Sequence, residues 1–160
     1  CAGSGCIGLT VALENPDTKV YLFEKYDAAL YYLQKNRDAL GVNNARIVQA
    51  DIVAYTPENS ICADMLLSNP PYIPSAELGL LQREVQNEPL TALDGGTDGL
   101  DFYRTIAACW LPCVKAGGEI LLECGDGQGA AVATIFQHNT VQQTVRYDFN
   151  DIDRFVQINV

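Results

Sequence analysis

The chain has 160 residues, of which 48% are hydrophobic and 19% are charged, a composition typical of one soluble globular domain with its own core. Ten Lys and Arg residues stand against 20 Asp and Glu residues. The resulting net charge of -10 disfavours direct binding of nucleic acid, and no apolar run approaches the ~20 residues of a transmembrane helix.

The cysteines and the histidine argue against a metal site. The chain has one histidine, His138, so no cluster of imidazole ligands or His-based catalytic triad is expected. No two cysteines form a Cys-x-x-Cys pair, and most lie in apolar runs, so we expect reduced, buried thiols in a cytoplasmic protein. The six cysteines are Cys1, Cys6, Cys62, Cys109, Cys113 and Cys124.

The chain opens on a glycine-rich segment, Gly3-Ser4-Gly5-Cys6-Ile7-Gly8. An apolar stretch follows and stops at Asn15-Pro16, so the pattern predicts a glycine loop that leads into a short helix. Glycines let the backbone approach a ligand closely, and a helix amino terminus presents free N–H groups. The pattern alone is weak evidence for ligand binding, because glycine loops between strand and helix also occur for packing.

Two predicted strands each end on an acidic residue. Residues 19–24 end on Glu24, about 20 residues after the glycine loop, where nucleotide-binding α/β units place a carboxylate that accepts both ribose hydroxyls. Residues 45–50 are followed by Asp51, which could accept from an adenine amino group while Ile52 packs on the ring. Solvated or turn-forming acids are the alternative. A helix capped by Asp27 is predicted between the strands, with Leu30, Leu33 and Leu40 on one face and Gly41 as the stop.

The segment Ser68-Asn69-Pro70-Pro71-Tyr72 follows an apolar run, residues 62–67, that predicts a buried parallel strand. Two prolines end the strand and leave a stiff loop. The Asn69 side chain and the Pro70 carbonyl are then two rigid acceptors that can grip both hydrogens of an –NH₂ group, and Tyr72 offers a flat face. The alternative is a Pro-Pro turn with Asn69 as a cap.

The middle of the chain, residues 73–100, is rich in glycine and proline. It is too long for an ordinary connection, and we expect a partly helical segment that covers the site. A helix capped by Asp101 is predicted next, with Phe102, Ile106, Trp110 and Val114 in a buried stripe. Gly117-Gly118 is expected to end it.

The last third predicts a strand at residues 119–124, a tight glycine turn at 125–129 and a helix over 128–137. Residues 143–149 and 155–160 are expected to form a terminal strand pair. Because strand and helix alternate throughout, the predicted class is α/β with a doubly wound sheet.

Three segments together carry a family resemblance. They are Gly3-Ser4-Gly5-Cys6-Ile7, Ser68-Asn69-Pro70-Pro71-Tyr72-Ile73, and Asn87-Glu88-Pro89-Leu90-Thr91-Ala92-Leu93 with Gly95-Gly96 and Asp98-Gly99-Leu100. Over nearly its whole length the chain resembles the release-factor glutamine N5-methyltransferases (HemK/PrmC family), which are class I S-adenosylmethionine-dependent methyltransferases. The resemblance implies a Rossmann-like, doubly wound, mostly parallel sheet that ends in an antiparallel hairpin.

The resemblance also implies roles for individual residues. S-adenosyl-L-methionine would be the cofactor and S-adenosyl-L-homocysteine its product. The substrate would be the glutamine of the Gly-Gly-Gln motif of peptide chain release factors, in the cytoplasm. The implied cofactor residues are Gly3, Ser4 and Gly5 beneath the methionyl part, Glu24 at the ribose, Asp51 and Ile52 at the adenine, and Asn69. The implied substrate residues are Asn69, Pro70, Pro71 and Tyr72.

The chain departs from this family at its start. Family members carry a helical amino-terminal domain, and a strand with an acidic residue before the glycine loop, whereas this sequence opens at Cys1. We therefore expect residues 1–160 to be a catalytic-domain fragment without its first strand, which would lie between the strands ending at Glu24 and Ser68. Such a fragment is expected to be inactive or weakly active and prone to self-association.

Three other functions use some of the same residues. An amino-methyltransferase acting on adenine in DNA needs the same grip on a planar –NH₂ group, although the net charge counts against DNA. A nicotinamide-dependent oxidoreductase would use the glycine loop and Glu24 but gives no reason for Asn69-Pro70-Pro71-Tyr72. A non-catalytic binding fragment is the third.

Overall fold

The strands of the chain form two separate sheets in the computed structural model, which describes residues 1–55, 57, 61–138 and 140–160. The chain divides into two compact units, Cys1–Tyr55 and Thr56–Val160, called here the N-terminal and C-terminal units. Each has a sheet of its own. No helix among the described residues is long and apolar enough to cross a membrane.

The N-terminal unit alternates helix and strand. Its two strands are parallel and in register from Val20 opposite Ala45 to Glu24 opposite Gln49. Their carboxyl ends therefore lie at one edge of this sheet. The elements are α1 (Cys6–Glu14), β1 (Val20–Glu24), α2 (Asp27–Ala39) and β2 (Ala45–Gln49).

A small apolar core holds this unit together, with α1 packed tightly on β1. A Cβ added at Gly8 of α1 would lie 2.1 Å from Cδ2 of Leu22 in β1. Only a glycine at position 8 lets α1 lie this close to β1. The buried core residues are Leu9, Ala12, Leu22, Leu30, Leu33, Val42 and Ala45.

Two expectations about α2 were wrong in detail. Its N-cap is Tyr26 rather than Asp27, because the Asp27 carboxylate instead accepts a hydrogen bond from Gln49 Nε2 at 2.7 Å. Leu30 and Leu33 are buried as expected, but Leu40 is 50% exposed. It lies past the last residue of α2, where Gly41 takes a positive φ of 66° and ends the helix as predicted.

The C-terminal unit contains a four-stranded mixed sheet in the order β3-β4-β6-β5. β3 and β4 are parallel, whereas β4–β6 and β5–β6 are antiparallel. The predicted α/β class with an antiparallel terminal hairpin is confirmed. The elements are β3 (Ala63–Ser68), α3 (Leu90–Leu93), α4 (Asp101–Thr105), β4 (Val114–Glu123), α5 (Gly129–Phe136), β5 (Gln142–Tyr147) and β6 (Asp153–Asn159).

The core of this unit includes completely buried side chains from β4, α5 and β6, and Tyr103 of α4 is also completely buried. Those from the two strands and α5 are Ile120, Leu122, Val132, Phe136, Val156 and Ile158.

The prediction that β3 is a buried strand was wrong. None of its residues is buried, and Met65 is 51% exposed. β3 pairs with β4 along one edge, and no strand in the described ranges pairs with its other edge. An apolar sequence alone does not bury a strand that pairs on one side only.

The helix predicted from Asp101 ends earlier than expected. After α4 the chain forms a π-helical turn, Ile106–Trp110, and a 3₁₀ turn, Leu111–Cys113, before β4 begins. Pro112 lacks an N–H group and cannot continue the helix, so Gly117-Gly118 lies inside β4 rather than at a helix end. Asp101 occupies the first turn, and the N-cap is Leu100. Ile106, Trp110 and Val114 are buried as predicted, and Phe102 is half-buried.

All six cysteines are free thiols. Cys124 is buried, but Cys6 and Cys62 are exposed, so the expected burial was wrong for these two. Cys6 is the first residue of α1, and Cys62 directly precedes the partly exposed strand β3.

Candidate active site

The glycine loop turns the chain into α1 with two left-handed residues, Gly3 (φ 57°) and Gly5 (φ 90°). Gly5 is the N-cap of α1. A Cβ at Gly5 would lie 2.4 Å from Leu33 Cδ1, whereas a Cβ at Gly3 would meet no atom within 4 Å. Gly5 is thus needed for packing, and Gly3 leaves open space over the backbone that a ligand can occupy.

Glu24 joins this loop to the end of β1. Its side chain is buried, and Oε2 accepts a hydrogen bond from the Gly3 N–H at 2.8 Å. Oε1 accepts from the N–H groups of Lys25 and Tyr26, both at 2.9 Å. A carboxylate has about four lone-pair positions, so three are filled by the backbone. Glu24 therefore holds the glycine loop through Gly3, and the amino group of Cys1 lies 3.8 Å from its Oε2.

Asp51 lies just beyond β2, at the same edge of the sheet as Glu24. Its Oδ2 is 2.8 Å from Lys25 Nζ, and its Oδ1 accepts from the Val53 N–H at 3.0 Å. The hydrogen bond from Lys25, followed by that from Val53, lowers the pKa of the Asp51 carboxyl. Asp51 is therefore ionised at neutral pH. The adjacent Ile52 is buried.

The Asn69-Pro70 step follows directly on β3. Asn69 is exposed, whereas Pro70 and Pro71 are buried. Within the part of the chain that the structure describes, no hydrogen bond satisfies the Asn69 side chain, and no donor reaches the Pro70 carbonyl. Two neighbouring acceptors are thus held by a stiff backbone, and neither has a partner among the residues that the structure describes.

Tyr72 ends the loop and is anchored through its backbone. Its carbonyl accepts a hydrogen bond from Gln128 Nε2 at 2.9 Å. Burial, and secondarily the negative charge of Glu123, raises the pKa of the half-buried Tyr72 phenol. The ring is consequently neutral over the physiological pH range.

The segment that follows Tyr72 pairs through its backbone with residues 93–96. The Ile73 N–H donates to the Leu93 carbonyl, and the Gly95 N–H donates to the Ile73 carbonyl, both at 2.9 Å. Ser75 Oγ donates to Asp94 Oδ1 at 2.7 Å. The predicted partly helical character is confirmed by α3 and by 3₁₀ turns at Ser75–Leu80 and Val85–Asn87.

Several residues that contact the predicted site residues were not predicted from the sequence. Lys25 escaped notice because a single lysine after a strand carries no pattern. Gln128 lies in a glycine cluster that predicts only a tight turn, and the turn is present, with the Gln128 N–H donating to the Gly125 carbonyl at 3.1 Å. Gly95 and Gly99 stand out in the sequence as glycines, but their role depends on contacts with residues that are distant along the chain.

The predicted site residues fall into two groups. The N-terminal unit contains six of the residues expected at the cofactor, namely Gly3, Ser4, Gly5, Glu24, Asp51 and Ile52. The C-terminal unit contains Asn69, which is expected at both the cofactor and the substrate, and the other residues expected at the substrate, namely Pro70, Pro71 and Tyr72.

The fold is that of the class I methyltransferases. A solved methyltransferase from Pyrococcus furiosus matches with a TM-score of 0.68 and 13% identity, over 99% of this chain and 72% of that one. The S-adenosylmethionine-dependent methyltransferase SibL matches with a TM-score of 0.56 and 15% identity, over 99% of this chain and 48% of that one.

The family model described as "Methyltransferase small domain" matches residues 1–88. The chain belongs to this family.

Curated relatives are more similar in sequence. The release factor glutamine methyltransferase of Geobacter sulfurreducens is 38% identical over 96% of this chain and 54% of its own length. The protein of the same name from Moorella thermoacetica is 41% identical over 81% of this chain and 46% of its own length. The chain thus spans about half the length of these relatives.

Proposed function

We propose that this chain is the catalytic part of a protein methyltransferase that transfers a methyl group to a glutamine side chain of peptide chain release factors. The observation that carries the proposal is the pair of acceptors at Asn69 and Pro70, which are unpaired among the described residues. A carboxamide –NH₂ group has two hydrogens to donate, so it matches this pair. The names of the relatives support release factors as the partner, and hence a cytoplasmic site of action.

The N-terminal unit fits the S-adenosyl-L-methionine that this function requires. The open space at Gly3 accepts a ligand against the backbone, together with Ser4 and Gly5. Glu24 would accept from a ribose hydroxyl, and ionised Asp51 would accept from the adenine amino group beside Ile52. When bound, the cofactor supplies an electrophilic sulfonium methyl group and leaves as S-adenosyl-L-homocysteine.

Residues of the loop act on the substrate by positioning it. Asn69 Oδ1 and the Pro70 carbonyl each accept one hydrogen of the glutamine –NH₂ group and so fix the direction of its nitrogen. The same two oxygens stabilise the partial positive charge that develops on nitrogen. Pro71 keeps the loop stiff, and Tyr72 flanks the planar amide. The proton that nitrogen loses passes to solvent.

We further propose that residues 1–160 form the catalytic domain of a longer protein. The support is that the chain spans about half the length of its relatives. The rest of that length would contain a helical domain that recognises the release factor, and a strand that joins the sheet.

The activity is tested by methyl transfer from tritium-labelled cofactor to a release factor, using the complete protein. We expect label on a release factor with an intact Gly-Gly-Gln motif. No label is expected when that glutamine is replaced. Equal labelling of both substrates, or of neither, contradicts the proposal.

The role of the loop is tested by Asn69→Ala in the complete protein. Losing one of the two acceptors leaves the amide nitrogen misdirected, so we expect turnover to fall by about 10²-fold while calorimetry still shows cofactor binding. Asn150→Ala is the matched control, because Asn150 is an exposed asparagine in the turn between β5 and β6. Undiminished methylation by Asn69→Ala would eliminate the proposed role.

A further inference from the structure

Gln128, the residue before α5, ties two distant parts of the C-terminal unit together. Its Nε2 donates to the Tyr72 carbonyl at 2.9 Å, and its Oε1 accepts from the Gly125 N–H at 2.9 Å. The side-chain amide therefore uses its donor end on the Asn-Pro-Pro-Tyr loop and its acceptor end on the turn after β4.

Two glycines make room for this bridge. A Cβ at Gly99 would lie 2.3 Å from the Tyr72 carbonyl oxygen and 2.7 Å from Gln128 Nε2. A Cβ at Gly95 would lie 2.8 Å from the Tyr72 Cα. Any larger residue at either position would displace the backbone that Gln128 holds. Gly95 and Gly99 are thus accounted for by their close approach to Tyr72.

The loop needs external anchors because its two prolines have no N–H groups to donate. At its beginning, Ser68 pairs with Leu122 of β4. At its end, Tyr72 is held by Gln128, which is fixed in turn to Gly125, two residues beyond β4. Both ends of the loop are therefore fastened at or just beyond the carboxyl end of β4.

We propose that Gln128 is a positioning residue for catalysis, which holds the Tyr72 carbonyl so that the Asn69 and Pro70 acceptors face the substrate amide. This inference rests on the function proposed above. Gln128 itself touches neither substrate nor cofactor in this scheme. Its effect is on turnover rather than on cofactor affinity.

The test is Gln128→Glu in the complete protein. The glutamate keeps an acceptor for the Gly125 N–H but places an oxygen against the Tyr72 carbonyl, so the two repel each other. We expect kcat to fall tenfold or more and the cofactor dissociation constant to stay within about twofold. Gln137→Glu is the matched control, since it makes the same charge change at the exposed end of α5 and is expected to leave kcat unchanged.

A second readout separates positioning from general destabilisation and needs no substrate. Amide hydrogen exchange is followed at Ile73, next to the anchored carbonyl, and at Val156 in the buried centre of β6. We expect faster exchange at Ile73 alone in Gln128→Glu. Equal acceleration at both amides, meaning global loosening, overturns a positioning role.

The two proposals fail in different ways. If the unmodified protein labels no release factor, the proposed function fails, and the exchange at Ile73 still decides whether Gln128 anchors the loop. If the unmodified protein is active and Gln128→Glu is equally active, the proposed function stands and the role of Gln128 is overturned.

Discussion

At the scale of single residues, hydrogen-bond partners decide what a polar side chain is available to do. Glu24 and Asn69 both come at the end of a strand, yet Glu24 is buried and accepts three backbone N–H groups, while Asn69 is exposed with no partner in the described ranges. Glu24 therefore spends most of its hydrogen-bonding capacity on backbone N–H groups, one of which belongs to the glycine loop. The Asn69 side chain retains all of its hydrogen-bonding groups for a substrate.

The cysteines provide a prediction that is independent of function. Burial raises the pKa of the Cys124 thiol to about 11, so only about one molecule in a thousand carries the reactive thiolate at pH 8. Raising the pH toward 11 increases that fraction, but the side chain remains enclosed. We expect iodoacetamide at pH 8 to alkylate exposed Cys6 and Cys62 in the native protein and to spare Cys124, as measured by peptide mass spectrometry.

Denaturation in urea is the control, because it should make all the thiols react alike. Native Cys124 that reacts as fast as Cys62 would show that the end of β4 is open to solvent.

At the scale of elements, close helix–strand packing outweighs helix propensity at Gly8. Alanine in place of a helical glycine normally gains about 1 kcal/mol. Here the added methyl would meet Leu22 Cδ2, and Leu22 is only 5% exposed, so it has little space to move. Overpacking of this kind costs roughly 1–3 kcal/mol.

We therefore expect Gly8→Ala to lower the free energy of unfolding, measured by urea denaturation. Gly79→Ala is the control, since a Cβ there meets no atom within 4 Å, and it should leave stability unchanged or slightly higher. Gly8→Ala should cost less stability in a Leu22→Ala background than in the unmodified protein, because the shorter side chain removes the clash, although Leu22→Ala is itself destabilising. A stabilised Gly8→Ala protein would mean that α1 lies farther from β1.

At the scale of the whole molecule, the net charge favours a protein substrate over a nucleic acid. The net charge of -10 repels phosphate backbones at long range, and this repulsion is strongest at low salt. A protein substrate has no phosphate backbone and is not repelled in this way.

The charge is that of residues 1–160, so we expect fluorescence anisotropy to show no saturable binding of single- or double-stranded DNA by these residues up to about 10⁻⁴ M at physiological salt. Micromolar DNA binding that weakens with added salt would favour the alternative of an adenine methyltransferase.

The sequence by itself determined the features that depend on local pattern. Hydrophobic runs, prolines and glycines located the strands, the Asn69-Pro70-Pro71-Tyr72 loop and the terminal hairpin, because these signals act on the backbone within a few residues. Tertiary structure alone decided which polar groups remain free. Whether Gln128 reaches Tyr72, whether Lys25 reaches Asp51, and whether β3 is buried all depend on atoms that folding brings together from distant positions, and no local pattern encodes those distances.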